Sequence, residues 1–288
     1  MQSARELRRR IKSIGGTSQI TRAMQMVAAA KMRKAQQAAI AARPFARLLY
    51  RLQRQATTQA GAFHHPLLER RQLRTRGVIL IAADKGLCGP LNTNVFRLAA
   101  GFDPPSTIFL AAGRKAAQFV ARSGRRLAAE FAYGDSPAFA EARAMAAFAR
   151  DLFLAGDVDR VDVVTTRFVN TLRQEAVCIE YLPVGDITGV RIPGAEPDED
   201  LAAEAGEIVF EPGATELLGY LLGHYLNIYT YYLLLNAKAS EQSARMVSMK
   251  NASDSAQTLI DDLRLEYNKL RQGAITKELL EIAGGQAE

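Results

Sequence analysis

From Tyr225 to Leu270 a side chain returns at alternating steps of three and four residues. The positions are Tyr225, Ile228, Tyr232, Leu235, Ala239, Gln242, Met246, Met249, Ser253, Ala256, Ile260, Leu263, Tyr267 and Leu270, and 12 of these 14 are apolar or aromatic. A period of 3.5 residues held over seven heptads requires a left-handed supercoil against a partner helix. Taken from Pro212 to about Ala283, this helix would run about 105 Å at 1.5 Å per residue. A globule of 31.5 kDa is far narrower than that, so one end is expected to protrude.

The chain supplies its own partner. From Ala4 to about Gln59 strong helix formers dominate: Ala, Arg, Lys, Gln, Leu and Met. A 4,3 spacing runs through Ala4, Leu7, Ile11, Ile14, Ser18, Thr21, Gln25, Ala28, Met32, Ala35, Ala39, Ala42, Ala46 and Leu49, where 11 of 14 are apolar and six are Ala. Small seam residues let a second helix approach closely. The pair Gly15-Gly16 is expected to mark a bend or a close contact, and Pro44 a kink or break near residue 43. The simplest closure pairs the two terminal helices antiparallel, with the intervening segment as an insertion.

That segment has a different period. Gly77–Ala83 and Thr107–Ala112 are short apolar runs of the kind that form buried strands. Asn92–Ala100 and Gly113–Ser123 read as short helices. Ser136 as N-cap and Pro137 at the first helical position open a helix to about Ala155. Arg160–Val169 and Gln174–Val184 read as strands joined by a turn at Asn170–Arg173. Strands alternating with helices predict an α/β domain over about 77–185. Asp186–Gly206 reads as a linker, and Glu207–Phe210 as a short returning strand.

Charge is unevenly spread. Residues 1–76 carry 17 Lys+Arg against 2 Asp+Glu, a balance of +15, whereas the whole chain carries 37 against 30, or +7. The N-terminal segment therefore suits an anionic partner: nucleic acid, anionic lipid or an acidic protein surface. Its aromatics are only Phe45, Tyr50 and Phe63, too few to interleave with bases. No run of about 18 uncharged apolar residues predicts a transmembrane helix, and the N-terminus has no signal-peptide apolar region. Two cysteines, Cys88 and Cys178, point to a reducing compartment, each as a small buried hydrophobe.

Catalytic patterns are missing. There is no phosphate-binding G-x-x-x-x-G-K-[ST] loop and no G-x-G-x-x-G after a strand. Gly86–Gly89, beside Lys85, could form an anion-binding nest, but a tight strand-to-helix turn is the simpler reading. His64, His65 and His224 lack acidic or thiolate neighbours at metal-ligand spacing. The residues thus predict a chain without catalytic groups, cofactor or metal. A basic coiled-coil scaffold or nucleic-acid-binding protein remains compatible with them.

Four blocks add a resemblance. Ile20–Lys34 (ITRAMQMVAAAKMRK) resembles the N-terminal helix of the gamma subunit of F-type ATP synthases. Asp84–Asn92 (DKGLCGPLN) resembles that family's first strand-to-helix turn. Ala239–Asp254 (ASEQSARMVSMKNASD) and Tyr267–Ile282 (YNKLRQGAITKELLEI) resemble its C-terminal helix. The blocks stand in the family's order. Gln286, and the stretch Leu233–Lys238, depart from the usual pattern.

The resemblance implies an α/β fold: a long antiparallel coiled coil of the N- and C-terminal helices with an inserted Rossmann-like domain. Its parts would be 1–60, the first helix; 77–206, the α/β domain; and 211–284, the second helix. It implies the rotor shaft of a rotary motor, turning inside a ring of three alpha and three beta subunits, with epsilon and the membrane c-ring at its foot. Ion flow through the membrane sector would drive ATP synthesis, or hydrolysis would drive pumping. Nucleotide chemistry would belong to beta. Membrane contact would come only through partner subunits, and no nucleic acid is implied.

Residue by residue, Arg10, Arg22, Arg33 and Lys34 become candidates for transient contacts with beta, since exposed ion pairs contribute only about 0–1 kcal/mol each. Met24 would face the acidic lever loop of beta. Arg271 and Gln272 resemble the family's catch residues, and Arg245, Thr276 and Glu278 match positions around that contact. Ile275, Leu279, Leu280 and Ile282 would form an apolar tip turning in an apolar collar. Glu211 would approach the c-ring and epsilon. Lacking both the cysteine-bearing insertion of chloroplast members and a transit peptide, the chain is expected on the cytoplasmic side of a bacterial inner membrane, as a peripheral protein.

Overall fold

The computed structural model describes residues 4–60, 64–184 and 213–284. They fall into two compact units: Met1–Ala29 with Arg245–Glu288, and Ala30–Ala244. Two helices contribute to both, α1 (Ala4–Ala60) and α5 (Ala214–Gly284). The predicted returning strand and linker, and Glu211, lie outside the described residues.

In the first unit the helices bury the predicted seam and little else. On α1, Leu7, Thr21 and Ala28 are buried, and Ile11, Ile14, Ser18 and Gln25 are half-buried. On α5, Met249, Ile260 and Leu263 are buried, and Met246, Ser253, Ala256 and Tyr267 are half-buried. Ser18 Oγ lies 3.4 Å from Ser253 Oγ, so the small polar residues of the two seams meet each other. The helices pair antiparallel. Leu270, the last seam residue, is 37% exposed, and exposure rises beyond it to 68% at Leu280.

A break at Pro44 and a close contact at Gly15-Gly16 are both absent from α1. Pro44 does not break the helix, which is continuous from Ala4 to Ala60. Strong helix formers flank it on both sides, so losing one backbone bond, at roughly 3 kcal/mol, does not end a helix already nucleated. Gly15 and Gly16 mark no close contact: an added Cβ at either would meet nothing within 4 Å.

The second unit is built on a five-stranded sheet. Its strands are β1 (Arg76–Ile81), β2 (Thr107–Ala112), β3 (Arg126–Phe131), β4 (Arg160–Phe168) and β5 (Gln174–Leu182). The order is β3-β2-β1-β4-β5, with β1 to β4 parallel and β5 antiparallel to β4. Central β1 sets Ile79 opposite Leu110 on one side and Val163 on the other. It is apolar on both faces because both are covered.

Helices α2 (Leu91–Ala100) and α3 (Arg114–Arg122) cover one face, where Val95, Ala99, Ala116 and Val120 pack on Val78, Leu80, Phe109 and Ala111. Helix α4 (Phe139–Ala155) and the first part of α5 cover the other. There Met145, Ala149, Leu222, Leu226, Leu233 and Leu234 pack on Ile79, Leu110 and Val163. Buried Asp162 on β4 is held by Arg76 and Arg160 together.

Three local details differ from expectation. Strand β3 has no counterpart in the sequence reading: Arg126-Leu-Ala-Ala-Glu-Phe131 is mostly exposed at the sheet edge and shows no apolar alternation. Helix α4 opens at Phe139 rather than beside Ser136, because Glu141 Oε2 accepts the Ala138 N–H at 2.8 Å. Cys178, on edge strand β5, is exposed, whereas Cys88 is buried as expected. The turn after β4 does form at Asn170, whose Oδ1 accepts the N–H groups of Leu172 and Arg173, each at 2.9 Å.

Glycine has opposite roles in the two units. At Gly113 φ is +90°, and a Cβ would lie 2.1 Å from the Ala82 carbonyl oxygen. Only glycine lets the end of β2 approach the end of β1 there. Gly113→Ala is expected to cost roughly 2 kcal/mol or more. Gly16→Ala is expected to stabilise the chain by about 0.5–1 kcal/mol. Chemical denaturation of the two variants checks both signs.

Candidate functional site

Partner contacts require exposed side chains on the long helices, and most candidates qualify. Arg10, Arg22, Arg33 and Lys34 on α1 are exposed, and Met24 is half-buried. On α5, Arg271, Gln272 and Thr276 are exposed, and Thr276 donates its hydroxyl to the Gln272 carbonyl at 2.9 Å. Ile275, Leu279 and Leu280 are 44%, 60% and 68% exposed, an unusual density of bare aliphatic surface on one helical turn after another. Arg245 differs: it is 8% exposed, at the centre of a small-residue stretch. Glu278 and Ile282 belong to α5, but their side chains lie outside the described residues.

The sheet holds the other place where chemistry would be sought. β1 leads to β2 on one side, while β4 lies on the other, so the carboxyl ends of β1 and β4 form the crevice in which doubly wound sheets bind ligands. Here that crevice is filled from within. Ala83, Cys88 and Leu91 pack against Ala244 of α5. Asn92 Oδ1 accepts the Ala83 N–H at 3.1 Å, and its Nδ2 donates to Cys88 Sγ at 3.6 Å. Ser243 donates to the Thr171 carbonyl at 2.7 Å, and Gln174 Nε2 reaches Ser243 Oγ at 3.4 Å. The Asp84–Gly89 segment is a turn, with Leu87 and Gly89 at φ near +60°. Among the described residues, no three His, Cys, Asp or Glu are grouped to hold a metal. His65 instead accepts the Leu67 N–H through Nδ1 at 3.2 Å.

Beside the filled crevice lies a charged cluster that the sequence reading missed. Lys238 of α5 is 1% exposed. Its ammonium donates to Glu241 Oε2 at 2.9 Å, sits 4.6 Å from the centre of the Tyr133 ring, and is 4.0 Å from Asp135. Lys31 of α1 reaches the same Asp135 at 2.6 Å. Taking an ammonium out of water costs several kcal/mol, offset here by a carboxylate and an aromatic face together. Burial, then the carboxylates of Glu241 and Asp84, push the Tyr133 phenol well above its ordinary range. It stays protonated and donates to the Ala82 carbonyl at 2.9 Å. The available signal was a Lys and a Glu three apart amid the seam residues Leu235, Ala239 and Gln242, where solvated flanks are the usual reading.

Long N- and C-terminal helices, together with a doubly wound sheet whose ligand crevice is filled by one of them, define the class: a mixed α/β protein in which the sheet holds a helix in place of a ligand. A sequence model described as ATP synthase matches residues 3–287. The ATP synthase gamma chain of Opitutus terrae is 46% identical, over 99% of this chain and 98% of its own. Those of Methylacidiphilum infernorum and Cupriavidus necator are 42% and 38% identical, over at least 99% of both chains. Among solved structures, the fold is shared with the central stalk and c-ring assembly of Tetrahymena thermophila mitochondrial ATP synthase. That match has a TM-score of 0.61 at 24% identity and covers 81% of this chain and 99% of the other. It is also shared with a chain of the Euglena gracilis enzyme, with a TM-score of 0.66 at 20% identity, covering 99% and 93%. The chain belongs to the ATP synthase gamma-chain family.

The Lys31 ammonium, first by its hydrogen bond, holds the Asp135 carboxyl below its ordinary 3.8. A depressed carboxyl stabilises the fold above that value and loses the effect as pH falls through the lower one. NMR titration of Asp135 is expected to show a midpoint under 3.8, and Lys31→Gln to move it upward.

Proposed function

We propose that this chain is the turning shaft of an F-type ATP synthase, coupling ion flow through the membrane sector to ATP synthesis or hydrolysis in the beta subunits. Identity of 38–46% with gamma chains along nearly the whole length carries this reading. In this reading residues 1–60 and 211–284 form the shaft within the ring of three alpha and three beta subunits. Residues 77–206 form the foot, with Glu211 near epsilon and the c-ring. The chain itself is non-catalytic. In support, helix α5 occupies the crevice where a doubly wound domain would hold a nucleotide. Its place is the cytoplasmic face of a bacterial inner membrane, held by partner subunits. No described helix is long and apolar enough to cross a membrane.

A shaft must touch the ring without being trapped at one angle. Exposed flexible cations fit that need, because each contact contributes about 0–1 kcal/mol and exchanges readily. Arg10, Arg22, Arg33 and Lys34, with Met24 among them, supply such contacts along α1. Arg271 and Gln272 act as the catch for a beta loop, with Thr276 and Glu278 around it; Arg245, buried and about 39 Å back along the same helix at 1.5 Å per residue, takes no part in that contact. Ile275, Leu279, Leu280 and Ile282 form an apolar bearing surface, which can slide because apolar contact is non-directional.

Reconstitution with alpha and beta subunits from the same source tests the proposal. One copy per three alpha–beta pairs and a higher rate of ATP hydrolysis are expected; absence of a complex would return the basic-scaffold reading. The isolated chain is expected to hydrolyse no ATP, measured after repeated purification. Arg271→Ala with Gln272→Ala is expected to lower turnover of the assembled complex several-fold, the size of a lost charged hydrogen bond, while assembly changes little. Turnover equal to that of the parent complex would remove the catch role.

A further inference from the structure

We propose that Lys238 is a positioning residue for rotary coupling. On the rotor reading above, its buried ammonium is the key of a joint that fixes the angle at which α5 seats on the sheet. Four parts of the fold meet at this joint. Lys238 and Glu241 come from α5, and Lys31 from α1. Tyr133 and Asp135 come from the loop between β3 and α4, and the Tyr133 hydroxyl is bonded to the Ala82 carbonyl at the end of β1. One carboxylate, that of Asp135, serves both lysines, at 2.6 Å from Lys31 and 4.0 Å from Lys238.

The other directional bonds of α5, Tyr181 with Thr230 at 2.7 Å and Ser243 to the Thr171 carbonyl at 2.7 Å, tie it to β5 and the turn before β5. The Lys238 cluster alone among these joins it to α1, the β3–α4 loop and β1; the packing around them is apolar. Along the sheet, α5 packs through Leu222, Leu226, Leu233, Leu234 and Ala237. Aliphatic contacts have no preferred direction, and such surfaces tolerate small rotations with little loss. An ammonium seated between a carboxylate and an aromatic face has one position. Stability alone does not account for it, since a buried ion pair exchanged for apolar groups of similar volume is often no less stable. Fixing register is the best-attested use of a buried polar group. A helix that carries torque needs this where it crosses the sheet, and all the members of the cluster belong to the unit that holds the sheet.

The test uses the assembled complex with the ring immobilised and a bead carried on the α/β domain. Lys238→Met with Glu241→Leu removes both buried charges together, so neither is left orphaned. The angular variance of the bead during pauses is expected to rise about twofold or more, as a fixed contact is exchanged for free motion. Unloaded ATP hydrolysis and the melting temperature of the complex are expected to stay near the parent values, which a merely structural role would not allow to diverge from the variance. Asp135→Asn, at a half-open position that does not threaten folding, is expected to give a smaller rise. Unchanged variance in both variants, with the parent complex rotating, overturns the joint and leaves the rotor standing. A parent complex that does not rotate overturns both.

Discussion

Along α5 the repeat of three and four residues runs through buried side chains in both units. Tyr225, Ile228, Leu235 and Ala239 are buried in the unit that holds the sheet, and Met249, Ile260 and Leu263 in the unit that holds the start of α1. Burial of apolar area is the main favourable contribution to folding, at about 25 cal/mol per Å². One continuous stripe therefore supplies a wall of each core. Without α5 the second unit would lose Leu222, Leu226, Leu233 and Leu234, which flank the stripe and pack on Ile79, Leu110 and Val163, and α1 would be a basic helix with nothing to pair with.

What was legible in the sequence follows from the same stripe. A period of 3.5 residues is long-range information written locally, so Leu7 to Ala28 of α1 and Met249 to Leu263 of α5 read correctly as facing seams, and Ser18 and Ser253 of those seams lie 3.4 Å apart. The buried parallel strands were legible for a related reason: covered on both faces, they are unbroken apolar runs. What failed depended on context. Strand β3 is an exposed edge held by backbone pairing to β2, and Arg-Leu-Ala-Ala-Glu-Phe carries no alternation to betray it. Ser136 lost the helix start to Glu141, whose side chain is better placed to take the Ala138 N–H. The candidate contact residues came from the family's motifs, since exposed Arg and Lys on a long helix look alike to any local reading. The Lys238 cluster was illegible because its members are 31, 133, 135, 238 and 241 along the chain and only the fold brings them together.

The two kinds of contact in this molecule suit different needs. Aliphatic surface, as at Leu279 and Leu280, is indifferent to angle. Buried charge, as at Lys238, is not. A part that must slide against one neighbour and hold fast to another can be made from one helix by changing which chemistry it presents along its length. The doubly wound sheet, a common host of nucleotide sites, is here a mounting for that helix. Its crevice is closed by Ser243 and Ala244 in place of a ligand.

The filled crevice has a consequence for how the chain is made. A ribosome delivers residues 76–182, the whole sheet, before it delivers residues 214–244, the helix that covers one face and closes the crevice. Throughout that interval the sheet carries a bare aliphatic surface, the condition under which nascent chains collect in aggregates or on chaperones. A message cut short before codon 214 yields a product that cannot hide it. The C-terminal helix thus acts as a certificate of completion, since only a chain translated past the sheet by about 60 residues, from Leu182 to Ala244, can close its own core.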